Sequence, residues 1–491
     1  MIRFLHGNRE IAIEGLAPHT TILNWLRDDG TQRGTKEGCA SGDCGACTVV
    51  VVRADEECLR YEPVNACIAT VGSLHGRQLI TVEALSDGDE LHPVQRALVE
   101  AHGSQCGFCT PGFVMSLFAL YHTPGKADRA TVLEALGGNL CRCTGYRPIV
   151  DAAMRVVDEA AEGPGDRFSR GAAATLDRLR ALDETQWDMT GLIDGAGRYF
   201  RPDSAATLAT LLADQEDLRL IAGGTDLLLE HTQDLASLPC LADLRAVTEL
   251  HELDADDEEL SIGAAVSHRA AQGVVLEEYP ELAELIARFG SLQIRSSGTI
   301  AGNLASASPI GDWAPVLLAI GGAVVLQSVR GRRRVAIDDF FLAYRSTALA
   351  DDEFIRAVVL PRRIPGLFLR AYKLSKRYED DISAVCGVFA LRIAEGRVQS
   401  ARIAFGGMAA TPARARACER LLEGRGLAEI DRAAARIAVR EDFSPISDVR
   451  ATAAYRHIAA ANLFLRLQAE YQGQATRVHG DHGLQAAGAR E

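Results

Sequence analysis

The chain has no apolar run long enough to cross a bilayer. Its best stretch, APVLLAIGGAVVL at 314–326, falls well short of the ~18–20 residues required. It has no surplus of positive charge either. A net charge of −14 argues against general attraction to nucleic acid or anionic membrane. The one basic run, Arg330 to Arg334 (RGRRR), reads as a solvated loop. Neither G-x-G-x-x-G nor G-x-x-x-x-G-K-[ST] occurs, so the classical dinucleotide and P-loop readings drop out. No internal repeat is visible. The N-terminus, MIRFLHGNREIAIE, lacks an apolar h-region, so secretory export is not expected and the cytoplasm is the expected compartment.

What the chain does have is cysteine: twelve, in a compartment expected to keep thiols reduced. Nine precede residue 144: Cys39, Cys44, Cys47, Cys58, Cys67, Cys106, Cys109, Cys141 and Cys143. Cys240, Cys386 and Cys418 stand alone in apolar surroundings and read as small core residues.

The pattern along the chain changes several times. IRFLH and REIAIE around Gly7-Asn8 predict a hairpin. Residues 20–29 predict a short helix, with Thr20 as N-cap and Gly30 at C′. TVVVVRA (48–54) and QLITVE (78–83) predict strands, around a Gly-rich loop at 34–47. HPVQRALVEAH, PGFVMSLFALYH, RATVLEAL and IVDAAMRVVDEAA then show three- and four-residue apolar spacing. They predict four helices in a bundle, the second N-capped by Thr110 with Pro111 at N1. Residues 162–190 lose the pattern and read as a linker. Mixed strands and helices follow, and the tail from 474 reads as disordered.

CASGDCGACT, at 39–48, is Cys-x₄-Cys-x₂-Cys, the plant-type [2Fe–2S] spacing, which needs a fourth cysteine. Gly42 and Gly45 let a loop wrap closely around a cluster and aim N–H groups at it. Cys58 sits in a charged stretch, RADEECLRYE. Cys67 sits in apolar VNACIAT and is the favoured fourth ligand. Cys106-Gly-Phe-Cys109 precedes a helix start, which favours thiolate charge. Cys141 and Cys143 must lie in a loop to share a site, and Gly137, Gly138 and Gly145 allow one. By spacing alone this second set of four suits zinc as well as an iron–sulfur cluster.

Together EGCASGDCGACT, VNACIAT, SQCGFCTPG and GGNLCRCTGYRPI resemble the iron–sulfur part of the xanthine oxidase (molybdenum hydroxylase) family over the first ~160 residues. The resemblance implies that both sets hold [2Fe–2S] clusters and that Gln105 contacts a molybdopterin cofactor. Two Gly-rich stretches, IAGGTDLLLE (221–230) and RSSGTIAGNLASASPIGDWAP (295–315), are similar to that family's FAD-binding loops. Carried over, Ile221, Ala222, Gly223, Gly224, Thr225, Asp226 and Leu227 line the pyrophosphate. Thr299, Gly302, Asn303, Asp312 and Lys373 contact FAD, and Phe289 packs on its ring system. Tyr344 and Asp380 sit where the family controls nicotinamide access. The chain departs from the family pattern at Tyr378, where a second basic residue is frequent.

The implied architecture is multidomain α+β. A β-grasp ferredoxin-like domain at 1–83 precedes a four-helix [2Fe–2S] bundle at 84–161 and the linker at 162–190. An α+β FAD-binding domain of vanillyl-alcohol oxidase type follows at 191–368. A CO dehydrogenase flavoprotein-like C-terminal domain covers 369–473, and a disordered tail 474–491. The implied role is electron transfer in a xanthine dehydrogenase, an NAD-dependent oxidoreductase of purine catabolism. Electrons from a molybdopterin cofactor on a partner large chain would pass through both clusters to FAD and then to NAD⁺. The bond-making of purine hydroxylation is expected on that partner, with no catalytic residue for it here. The expected assembly is a heterotetramer of two small and two large chains. Aldehydes or N-heterocycles are the alternative substrates.

Overall fold

The computed structural model describes residues 1–28, 32–55, 57–162, 165–183 and 197–476. Gly30, part of the expected linker and the tail beyond 476 lie outside them. The described residues form two units. The first takes Met1–Pro202, Asp217–Ala246 and Ser291–Gly298; the second takes Asp203–Glu216, Val247–Gly290 and Thr299–Glu491.

In the first unit the strands run in the order Arg9–Ile13, Ile2–His6, Gln78–Ile80, Thr48–Asp55, Cys58–Asn65. Ile2–His6 and Gln78–Ile80 pair in parallel and the other neighbours are antiparallel. The hairpin turns at Gly7, whose φ of 56° suits glycine. The central strand explains its own unbroken valine run. Val49 and Val51 face one core with Ile2, Phe4 and Leu23, while Val50 and Val52 face a second core with helical residues. A strand buried on both faces has no polar side to show.

That second core belongs to the helices Pro93–Glu100, Thr110–Tyr121, Arg129–Leu136 and Arg147–Glu162. Thr110–Tyr121 is buried from Gly112 to Leu120 and is the central helix. Two caps differ from expectation by one residue. Thr21, not Thr20, accepts the Asn24 N–H (3.1 Å), and Cys109, not Thr110, is the N-cap of the second helix. Residues 165–183 are not the linker expected. They carry the helices Arg167–Arg170 and Ala172–Asp183, and Leu179 and Leu182 are buried in the bundle core. Each such burial contributes roughly 1.5–3 kcal/mol, enough to anchor the segment. Its apolar stripe is only one leucine wide, which is why arginines and alanines hid it.

A three-stranded parallel sheet completes the first unit, in the order Arg198–Phe200, Cys240–Asp243, Arg219–Ile221. Cys240 is half-buried there, whereas Cys386 and Cys418 are fully buried as expected. Among the described residues the second unit holds two larger antiparallel sheets and the small hairpin Phe341–Ala343 with Ser346–Thr347. One is ordered Gly331–Ala336, Ala323–Ser328, Phe354–Pro361, Glu259–Gly263, Leu253–Ala255. The other, led by Val385–Ala394 and Arg397–Gly406, packs Phe389 and Phe405 on Phe464 of the helix Ala453–Tyr471. Among the described residues no helix is long and apolar enough to cross a membrane.

Candidate functional site

The loop 34–47 brings the first cysteine set together. Cys47 Sγ stands 3.3 Å from Cys67 Sγ, and Cys39 Sγ lies within hydrogen-bonding reach of Cys44 and Cys67. Backbone N–H groups of Ser41 and Asp43 point at Cys39 Sγ (3.4 and 3.2 Å). Gly42 and Gly45 adopt φ of 81° and 65°, the left-handed path the loop needs. Cys58 is elsewhere. It is exposed at the start of its strand, opposite Asp55.

The second set also converges. Cys106 lies within reach of Cys143, and Cys109 within reach of Cys141. Burial, then the neighbouring Cys141, pushes the Cys109 thiol up to about 12. Cys141 and Cys143 lie in a loop, where Thr144 N–H donates to Cys141 Sγ (3.5 Å). Cys106 and Cys143 are exposed, and so are Gln105, Phe108, Arg142 and Tyr146 around them. Four thiols in each set are the donor chemistry that a [2Fe–2S] cluster takes.

The two loops touch directly. Leu140 N–H, beside Cys141, donates to the Cys44 carbonyl (3.0 Å), and Asn139 Nδ2 donates to the Gly45 carbonyl (3.0 Å). A Cβ on Gly45 would lie 2.2 Å from the Gly138 oxygen, so only glycine permits this approach.

Ile221 ends a strand, and Gly223 and Gly224 are buried in the turn that leads to the helix Leu227–Thr232. Ala222, Thr225 and Leu227 are half-buried, and Asp226 is exposed at the helix N-cap. A Cβ at Gly223 would meet the Ser297 oxygen at 2.2 Å, and one at Gly224 the Ile68 oxygen at 3.1 Å. The glycine loop therefore lies against the residue that follows Cys67.

The second unit carries the other residues assigned to FAD. Thr299 caps the helix Ile300–Ala305, its Oγ1 accepting from Gly302 N–H (2.9 Å). Gly302 is exposed, and Asn303 Oδ1 is buried without a hydrogen-bond partner. Such an orphaned acceptor fits a ligand that supplies a donor. Lys373 lies on the strand Leu367–Leu374. It is buried, and its Nζ donates to Asp312 Oδ2 (2.6 Å) and Ser383 Oγ (2.9 Å), while Ser383 donates to Asp312 Oδ1 (2.6 Å). Phe289 stands beside His268 (4.5 Å) and helps line an apolar pocket with Leu285, Asp312 and Trp313. The sequence reading missed Ser383, because a lone serine gives no signal until its partners are known.

Tyr344 is exposed in a short hairpin, while Asp380 is buried with φ 46°. At Tyr378 a basic side chain approaches from another element. The Arg288 guanidinium lies 4.5 Å over the Tyr378 ring, and its Nε donates to the Tyr378 carbonyl (2.9 Å).

One cluster with metal-ligand chemistry lies apart. His92 Nε2 and His122 Nε2 meet Asp166 Oδ2 at 2.7 and 3.0 Å. His92 Nδ1 accepts the Val94 N–H (3.2 Å), so the ring's proton sits on Nε2, facing Asp166. A metal would need that nitrogen bare, and the trio therefore serves as a hydrogen-bond hub.

Comparison with known proteins follows the same division. Residues 5–72 match the 2Fe-2S iron-sulfur cluster binding domain and 81–154 the [2Fe-2S] binding domain. Residues 194–363 match the FAD binding domain in molybdopterin dehydrogenase, and 370–471 the CO dehydrogenase flavoprotein C-terminal domain. Xanthine dehydrogenase of Emericella nidulans is 33% identical over 478 residues, covering 86% of this chain and 35% of the relative. Xanthine dehydrogenase/oxidase of Rattus norvegicus is 32% identical over 455 residues, covering 83% and 34%. The chain thus spans about a third of the length of these relatives. Among solved structures, a carbon monoxide dehydrogenase chain from Hydrogenophaga pseudoflava aligns over 58% of this chain and 100% of its own, with TM-score 0.53 and 27% identity. Quinoline 2-oxidoreductase from Pseudomonas putida 86 aligns over 57% and 99%, with TM-score 0.52 and 29% identity.

Fold and sites together define an iron–sulfur flavoprotein. The chain belongs to the xanthine oxidase family, of which it is an iron–sulfur/FAD chain.

Proposed function

We propose that this chain is the electron-transfer subunit of a xanthine dehydrogenase. Cys39, Cys44, Cys47 and Cys67 would hold one [2Fe–2S] cluster, and Cys106, Cys109, Cys141 and Cys143 the other. Clusters carry single electrons, whereas FAD accepts two and can pass hydride to NAD⁺. The observation that carries the reading is a run of direct contacts within the first unit. The second cysteine set, exposed at Cys106 and Cys143, touches the first through Leu140 and Cys44, and the first touches the glycine loop through Ile68 and Gly224. That order suits electrons entering at the surface and leaving at the flavin.

The entry face supports a molybdopterin-bearing partner chain. Gln105, Cys106, Phe108, Cys143 and Tyr146 are exposed together, and a cluster ligated there needs cover from water. The relatives named xanthine dehydrogenase support xanthine as the substrate, and NAD⁺ is the acceptor this reading expects. Lys373, Asp312, Asn303 and Thr299 would hold FAD, and Tyr344 and Asp380 would govern nicotinamide approach. A second reading, an aldehyde- or N-heterocycle-oxidising complex, is favoured by the likeness to quinoline 2-oxidoreductase. The test is to purify the native complex and count iron, molybdenum and FAD while measuring xanthine-dependent NAD⁺ reduction. Four irons and one FAD per chain, with molybdenum on a co-purifying subunit, are expected from two [2Fe–2S] clusters. A molybdenum-free preparation that still oxidises xanthine with NAD⁺ would overturn the reading.

A further inference from the structure

Gln293 is 1% exposed, on the six-residue helix Leu292–Ser297 of the first unit. Its Nε2 lies 3.1 Å from Thr48 Oγ1, 3.2 Å from Ser116 Oγ and 3.2 Å from Asn139 Oδ1. Each of these atoms can only accept. The Thr48 hydroxyl already donates to the Gly45 carbonyl (2.7 Å), and the Ser116 hydroxyl to Asn139 Oδ1 (2.6 Å). A side chain facing three lone pairs must be a donor, and glutamine's NH₂ supplies two hydrogens at the right reach. The other end of the same amide, Oε1, is buried without a hydrogen-bond partner. Leaving that acceptor orphaned forfeits its hydration without a replacement bond, so the position is not explained by stability alone.

The three acceptors flank ligand positions of both cysteine sets. Thr48 follows Cys47, Asn139 lies two residues before Cys141, and Ser116 is on the helix that Cys109 caps. The helix bearing Gln293 also presses its Ser297 oxygen on the glycine loop at Gly223. We propose that Gln293 is a positioning residue that braces the two cluster loops against each other from the flavin-loop side. The inference rests on the assignment of two clusters to the two cysteine sets.

The test uses the complete complex with Gln293→Glu, which keeps the shape but removes the donor, and Gln293→Met, which keeps the volume alone. Iron, FAD and the two [2Fe–2S] EPR signals are measured, with redox titration of each signal. Both variants are expected to keep their iron and FAD. Both EPR signals should broaden and their midpoints shift together, with turnover lowered roughly 10-fold, as for outer-sphere partners of metal sites. Wild-type signals and midpoints in both variants would reduce Gln293 to packing and overturn the proposal, and so would a shift confined to one cluster. Should both variants lose iron, Ser116→Ala, which removes one acceptor and leaves Gln293 in place, must still shift both midpoints. A wild-type complex with fewer than two EPR signals would overturn the cluster assignment itself, and the brace with it.

Discussion

The Lys373 ammonium lies 2.6 Å from the Asp312 carboxylate, and neither is more than 5% exposed. Ser383 bridges the two, donating to the carboxylate and accepting from the ammonium. Two buried charges hold because each neutralises the other. Lys373→Met strands Asp312 as an unpaired buried anion. It is expected to lower unfolding free energy by roughly 3–5 kcal/mol and to reduce the FAD-to-protein ratio. Lys373→Met combined with Asp312→Asn should recover much of the stability without recovering FAD. Urea titration and flavin absorbance check both, and a flavin-replete single variant would remove Lys373 from the FAD contacts.

On the proposed function, Cys143→Ser should delete one of two [2Fe–2S] EPR signals and stop xanthine-to-NAD⁺ electron transfer. Cys143 is exposed and paired with Cys106, so its loss leaves the packed core untouched. NADH-to-dye activity needs only the flavin and should survive. Loss of both activities in a folded, flavin-loaded variant would contradict the order of carriers.

Cys58→Ser tests the choice of the fourth ligand. Cys58 is exposed and pairs across its strand with Asp55, while Cys67 Sγ is buried 3.3 Å from Cys47 Sγ. The variant should keep two clusters by iron count and EPR. A single remaining cluster would move the ligand from Cys67 to Cys58.

Cys58 and Cys67 differ in a way the sequence alone makes legible. Cys67 was separable from Cys58 because one sits among apolar residues and the other among charges. The four bundle helices were legible because their apolar spacing is local. The caps fall one residue off: Thr20 and Thr21 are adjacent hydroxyls of equal capping chemistry, whereas Cys109 takes the N-cap position with no side-chain bond at all. Ser383 and Gln293 were invisible for a different reason. Gln293 meets Thr48 across 245 residues, and Ser383 meets Asp312 across 71. Buried polar residues whose partners are that distant leave no periodic mark, and the linker reading failed because Asp166, its anchor, finds its partners on two distant segments.

Asp166 supplies the pH prediction. Burial alone would raise its carboxyl, but hydrogen bonds from His122 and His92 outweigh it and hold the group well below the usual carboxylate range. A carboxyl depressed in the folded state binds its proton more readily when unfolded. Its stabilisation is therefore complete above the unfolded value of about 3.9 and is lost as pH falls below it. Asp166→Asn removes the charge and leaves His122 and His92 with one weaker acceptor. At neutral pH it should cost roughly 1–3 kcal/mol, read by denaturant unfolding, and should expose amides of 165–183 to faster hydrogen exchange. The gap between wild type and variant should narrow as pH is lowered below about 4. A gap that stays constant through that range would mean that the Asp166 carboxylate does not carry this stabilisation.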